Sequence, residues 1–132
     1  MHIVIDESVI LRYLLNDDKV NSKRAYDAIS SGNTQTYPES MARVAITLRD
    51  VYRVPRSVIS SVLIMLLEDI HINDQKVVEH AIRMFGSSVL DFSDCLTLAR
   101  NAMAGNPILS FNKPIMKRSM QPMVSSMPRT FE

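Results

Sequence analysis

The chain has 132 residues, of which 46% are hydrophobic and 22% charged, and a formal net charge of +1. This is the length and composition of one globular domain. No apolar run approaches the roughly 18 residues of a membrane span, and one cysteine, Cys95, excludes an intramolecular disulfide framework. We therefore expect a cytoplasmic domain with no targeting leader and no membrane partner, and the overall charge gives no case for nucleic-acid binding.

The first stretch of the chain predicts a strand that leads directly into a helix. Residues 2–5 are a run rich in β-branched side chains without polar alternation, which favours a strand buried on both faces of a parallel sheet. The run ends at Asp6, after which apolar residues recur at helical spacing, with Ser8 available as the N-cap. Asp6 is therefore predicted at the carboxyl end of a strand, where open α/β sheets place their ligand sites.

The remaining elements are predicted from apolar periodicity, capping residues and turn residues. In chain order they are a helix closed by residues 30–32, a strand at 34–37, a helix from Pro38 that Pro55 stops, a helix from about Arg56, a brief strand at 69–72, a helix capped by Asn73 and ended by Gly86, a helix over 91–104, and a last strand at 107–111 that leads to Asn112.

Strands separated by helices predict an α/β protein. Two of the strands end in polar residues, Asp6 and Asn112. We expect a single domain over residues 1–132, with three layers (α/β/α) around a central, mostly parallel sheet.

Residues 113–132 form a methionine-rich, mildly basic C-terminal tail with four cations and one acid. Four methionines in the tail keep helical spacing, but Pro122 and Pro128 prevent one continuous helix through them. We expect the tail to pack on the body of the domain, and a partner-binding surface is the alternative.

Four stretches of the sequence together resemble the successive landmarks of a known family. They are, in order, Asp6 to Asp18, Val51 to Arg56, Asp91 to Leu96 and Ile108 to Asn112. In this order and spacing they resemble a PIN domain, the small nuclease that is also found in the toxins of type II toxin–antitoxin systems. The resemblance covers nearly the whole chain and implies a PIN-like fold.

The resemblance implies a ribonuclease that hydrolyses RNA with Mg²⁺ or Mn²⁺ as its cofactor. Hard divalent cations prefer oxygen ligands, and the metal activates water while it neutralises charge on the phosphate. Matched residue by residue, the four acidic positions of the family fall on Asp6, Arg43, Asp94 and Asn112. These four are the candidate catalytic residues, and Asp6 and Asp94 are the candidate metal ligands.

Two of the four acids are therefore replaced, one of them by a cation. Such a site carries a net charge of −1, from two carboxylates, one guanidinium and one neutral amide. Two unit charges about 4 Å apart interact by about 4 kcal/mol at an effective dielectric constant near 20, and a divalent ion carries two charges. We expect Arg43 to pair with Asp6 or Asp94 in place of the metal, and we expect nuclease activity to be weak or lost.

Another acid could replace the missing ones. Glu39 lies one helical turn before Arg43 on the same predicted face, and a four-residue shift in register would make it the second acid. Asp91 precedes Asp94 by three residues, whereas Glu7, at the start of a helix, is expected to point elsewhere. The simpler interpretation of Asp6 and Asp94 is that both are helix-start acids held by backbone amides.

Three functions follow from these observations. The first is a PIN-type ribonuclease, active or impaired. The second is a non-catalytic module that binds RNA through Lys113, Lys117 and Arg118, or that acts as a homodimer or with an antitoxin-like partner. The third is a phosphate-receiving signalling domain, which needs an acceptor at a strand end, whereas the candidate Asp69 follows a helical run.

Overall fold

Three short parallel strands and seven helices make up residues 1–119, the part of the chain that the computed structural model describes. The strands are β1 (Ile3–Val4), β2 (Thr34–Thr36) and β3 (His71–Ile72). The helices are α1 (Glu7–Leu15), α2 (Lys19–Ser30), α3 (Pro38–Asp50), α4 (Arg56–Leu66), α5 (Gln75–Gly86), α6 (Phe92–Ala104) and α7 (Lys113–Ser119). The predicted α/β class and the parallel sheet are confirmed. None of the helices in the described range has the length and apolar character to cross a membrane.

The sheet has the strand order β1–β2–β3, and both pairings are parallel. Parallel neighbours need crossover connections, which α1 with α2 and α3 with α4 provide. The central strand buries Thr34 and Thr36, and the Thr36 hydroxyl donates to the carbonyl of Ile5 at 2.8 Å. Because all three strands run in one direction, Asp6, Tyr37 and the residues after Ile72 follow their carboxyl ends at the same edge of the sheet.

One hydrophobic core joins the sheet to the helices. The helix α3 contributes Met41, Val44 and Ala45, all fully buried, because its apolar residues recur on one face. The ring centroids of Phe85 at the end of α5 and Phe92 at the start of α6 are 5.6 Å apart, and both side chains are fully buried. The core therefore fixes the connection between α5 and α6, which contains Asp91.

The predicted burial of β1 on both faces is wrong. Ile3 and Val4 are 56% and 55% exposed, and only Ile5 is buried. The predicted last strand at 107–111 is also wrong, since no strand forms there and Leu109 and Phe111 are 80% and 96% exposed. The two errors have one cause: β1 ends the three-stranded sheet because residues 107–111 do not pair with it.

Two of the predicted caps are taken by other residues. Asp6 rather than Ser8 is the N-cap of α1. Asp74 precedes α5 in place of Asn73, and the amide oxygen of Asn73 instead accepts a hydrogen bond from the side chain of Gln35 on β2 at 2.8 Å. Residues separated by 38 positions meet there, so the local sequence pattern does not reveal the contact.

The start of the predicted tail is a helix, because α7 covers Lys113–Ser119 and buries Ile115. Three of the four methionines with helical spacing, together with Pro122 and Pro128, lie in residues 120–132, outside the described range. The predicted packing of that part of the tail stays a prediction.

Gly86 provides a test of the α4–α5 packing. A Cβ atom at this position would lie 2.5 Å from the Cβ of Ser60 on α4. Although Ala favours helix more than Gly does, we expect Gly86→Ala to destabilise the fold by about 1–3 kcal/mol through overpacking. Urea unfolding of the variant measures this loss.

Ser60→Gly supplies the matched background for that substitution. It removes the atom that the new methyl group would meet, so Gly86→Ala should cost less in the Ser60→Gly protein than in the original. Equal costs in the two backgrounds would contradict the close approach of α4 to α5 at these residues.

Candidate acidic site and basic groove

Asp6 follows β1 and caps the helix that begins immediately after it. Its Oδ1 accepts hydrogen bonds from the backbone amides of Ser8 at 3.0 Å and Val9 at 3.4 Å, and from the Ser8 hydroxyl. These bonds, led by that of the Ser8 hydroxyl, lower the pKa of Asp6 below its usual value. Asp6 is exposed and stays ionised at neutral pH, as a capping residue or a cation ligand would.

Arg43 lies on α3 and reaches toward the start of α1. Its guanidinium is 3.8 Å from the carboxylate of Glu7, the residue after Asp6. The prediction that Arg43 pairs with Asp6 or Asp94 is therefore wrong. Both side chains are partly exposed, and ion pairs of this kind contribute about 0–1 kcal/mol. Arg43 thus adds a positive charge beside Glu7. The ion pair is too weak to hold the Arg43 side chain in one position.

Asp94 and Asp91 lie at the start of α6. Asp94 is a partly exposed acid in the first turn, and Asp91 precedes the helix without a side-chain cap bond. The carboxylate of Asp91 is instead 3.3 Å from the guanidinium of Arg49 on α3, which also pairs with Asp50 at 2.6 Å. The hydrogen bond that Arg49 donates to Asp50 raises the pKa of Arg49 and lowers the pKa of Asp50. Asp91 is therefore committed to an ion pair.

Asn112 and Glu39 are both exposed at the starts of helices. Asn112 is exposed and comes just before α7, where its carbonyl accepts the amide of Met116 at 3.1 Å. Glu39 is exposed in the first turn of α3, where an acid is favourable with the helix dipole.

These residues do not fit a tightly held divalent ion. One oxygen of Asp6 already accepts three hydrogen bonds, and Arg43 adds a positive charge beside Glu7. Within residues 1–119, no three His, Cys, Asp or Glu side chains gather into a group that could hold a metal ion. Mg²⁺ prefers several oxygen ligands in near-octahedral geometry, and the donors here are few.

A second feature is a groove of about 550 Å³ with cations on one side. Its lining consists of the loop residues Ser88, Val89 and Leu90 and, on the side of α7, Lys113, Pro114, Lys117 and Arg118. The three cations predicted to contact nucleic acid thus share one concave surface. We call this surface the basic groove.

Sequence reasoning gave no role to Arg56, the first residue of α4. Its guanidinium donates to the carbonyls of Phe85, Ser88, Val89 and Leu90 at 2.8–3.3 Å. It also lies 4.3 Å from the centroid of the Phe85 ring, within the range of a cation–π contact. These acceptors are 29–34 positions away in sequence, and Pro55 before Arg56 marks only the helix start.

The remaining polar candidates are Asp69, two histidines and Cys95. Asp69 precedes β3, so it is not at the strand end that a phosphate acceptor needs. The rings of His2 and His71 stack 4.1 Å apart at the amino ends of β1 and β3. Cys95 is fully buried, as expected for a small hydrophobe, and burial raises the pKa of its thiol to about 11.

No protein-family model, curated protein or solved structure matches this chain.

The role of Asp6 as the N-cap of α1 can be tested by substitution. We expect Asp6→Ala to destabilise the fold by about 0.5–2 kcal/mol, because the cap of α1 is lost, and Asp6→Asn to cost less, since its amide oxygen still accepts the backbone bonds. Thermal unfolding of both variants at neutral pH measures the difference.

The pH dependence follows from the lowered pKa of Asp6. A carboxyl group with a lower pKa in the native than in the unfolded state stabilises the fold above its unfolded pKa, and this contribution disappears as pH falls through the native pKa. The original protein should therefore lose a component of stability below about pH 4 that Asp6→Asn lacks. Parallel acid-unfolding curves for the two proteins would contradict the capping geometry.

Proposed function

We propose that the chain is a PIN-like domain related to the Mg²⁺- or Mn²⁺-dependent ribonucleases, with weak or lost nuclease activity. Support for the PIN-like part comes from the four sequence stretches and from a parallel sheet whose first strand leads to Asp6. The three-layer α/β/α arrangement is part of this proposal. A homodimer and an antitoxin-like partner stay predictions of the resemblance.

The observation that carries the impaired activity is the ion pair between Arg43 and Glu7, next to Asp6. A cation at this point repels an incoming divalent ion and its positive charge substitutes for part of the ion's charge. Asn112, in the position of the fourth acid, adds no negative charge. Cleavage that depends on a metal held by Asp6 and Asp94 is therefore expected to be slow.

Calorimetric titration with Mn²⁺ tests this proposal on the original protein and on Arg43→Glu plus Asn112→Asp. The double substitution removes the repulsive cation and supplies two carboxylates. We expect no measurable binding by the original protein, and binding by the variant at micromolar to millimolar concentrations, about 4–8 kcal/mol. Cleavage of a generic RNA by both proteins is measured alongside.

Lys23→Glu plus Asn33→Asp is the matched control, because it changes the net charge by the same amount at exposed positions elsewhere. Mn²⁺ binding by this control as well would mean a general charge effect. Tight binding and RNA cleavage by the original protein would contradict the proposal and would favour Glu39 as the replacement acid. Binding by none of the three proteins would limit the resemblance to the fold.

The basic groove favours a second candidate function, binding of RNA without cleavage. Lys113, Lys117 and Arg118 place three cations along one side of a concave surface. Contacts of this kind bind phosphates without reading sequence and release counterions, so the affinity falls as salt rises. We propose single-stranded RNA as the ligand, since the family that the sequence resembles acts on RNA.

Lys117→Gln should weaken binding of oligouridine and reduce the salt dependence. On single strands, each lost phosphate contact changes the slope of log K against log salt by about 0.7. Fluorescence anisotropy in EDTA, at several salt concentrations, measures both quantities without a contribution from metal. Lys23→Gln, which removes a cation paired with Asp27 on α2, should leave both unchanged. Equal effects of the two substitutions would contradict a specific role for the groove.

A further inference from the structure

Arg56, the first residue of α4, forms hydrogen bonds with the end of α5 and with the loop between α5 and α6. One guanidinium donates to four carbonyl groups within residues 85–90, with distances from 2.8 Å to Leu90 to 3.3 Å to Val89. The last carbonyls of a helix have no partner within the helix, and a cation near them is favourable with the helix dipole. Arg56 therefore satisfies the end of α5 and fixes the path of the chain beyond it.

The same loop is one wall of the basic groove. Ser88, Val89 and Leu90 line the groove opposite the cations of α7, and their three carbonyls are acceptors of Arg56. The side chain of Leu90 is buried in the core and its amide donates to the Ser88 hydroxyl at 3.3 Å, whereas Val89 is exposed. Arg56 adds the hydrogen bonds to the carbonyls of all three residues. The shape of this wall therefore depends on the guanidinium.

Arg56 itself is not one of the residues that line the groove. It is half-buried, and its planar fork is directed at the backbone of the loop and the ring of Phe85. Its effect on a ligand in the groove is therefore conveyed by the loop.

We infer that Arg56 is a positioning residue for RNA binding, because it holds residues 88–90 as a preformed wall of the basic groove. The inference rests on the proposed binding of RNA by that groove. A preformed wall spares the ligand the entropic cost of ordering the loop. A lysine is a poorer match than the guanidinium, because it lacks the second nitrogen, Nη2, that donates to Val89 and the planar group that lies over the ring of Phe85.

The test measures oligouridine affinity in EDTA for the original protein, Arg56→Gln and Arg56→Lys, at a temperature where circular dichroism shows each to be folded. We expect both variants to bind roughly three- to tenfold more weakly. This loss corresponds to the entropic cost of ordering about one side chain when the ligand binds. The slope of affinity against salt should stay unchanged, because Arg56 contacts no phosphate. If Arg56→Gln does not fold, Arg56→Lys, which keeps the charge and the aliphatic stem, decides the question.

Arg83→Gln is the matched control, because Arg83 is a cation near the end of the same α5 helix and pairs with Glu79 at 3.2 Å. This variant should bind like the original protein. A loss of affinity equal to that of Arg56→Gln would indicate a general effect of charge and would overturn the inference.

The remaining outcomes separate this inference from the function on which it rests. If the original protein binds, Lys117→Gln weakens binding and both Arg56 variants bind normally, then RNA binding stands and the positioning role is wrong. A slope that falls by about 0.7 in Arg56→Gln would make Arg56 a direct phosphate contact, which also overturns the inference. If the original protein does not bind oligouridine, the proposed RNA binding and the positioning role both fail.

Discussion

The contact between Arg56 and the end of α5 supports much of the described structure. A single guanidinium joins the start of α4 to the carbonyls that close α5 and precede α6, and it lies over the buried ring of Phe85. Hydrogen bonds from charged donors contribute about 1.5–3 kcal/mol each, although neighbouring bonds are not additive. Burial lowers the pKa of Arg56, but an arginine remains a cation, so the contact persists across the physiological pH range. The loop that it holds borders the basic groove and precedes the acids of α6.

Charge distinguishes the two candidate surfaces. At the acidic site, Asp6 is used as a cap, Glu7 pairs with Arg43, and Asp91 pairs with Arg49. Each carboxylate with such a partner is less available to a cation. At the basic groove, Lys117 and the other cations of α7 lie opposite residues 88–90, none of which carries a carboxylate. The basic groove is therefore better suited than the acidic site to bind a polyanion such as RNA.

Local physics explains which elements of the fold were predictable. Helices α2 to α6 follow from apolar periodicity and from the residues that start or end them, such as Pro38, Pro55 and Gly86, each of which acts on its own few neighbours. The strands β2 and β3 follow from short β-branched or alternating runs. The segment 107–111 has the same local signature as a strand, yet a strand exists only where a second edge hydrogen-bonds to it, and in this structure none does.

The positions of helices α1 to α6, the parallel α/β class and the place of Asp6 after the first strand could be predicted from the sequence, because these features depend on near neighbours in the chain. The pairing of Arg43 with Glu7, of Arg49 with Asp91 and of Arg56 with the end of α5 became visible only in the folded chain. A charged side chain has many candidate partners, and its choice depends on which helices pack together. That choice decides whether a carboxylate remains free for a metal, so the character of the site depends on tertiary packing.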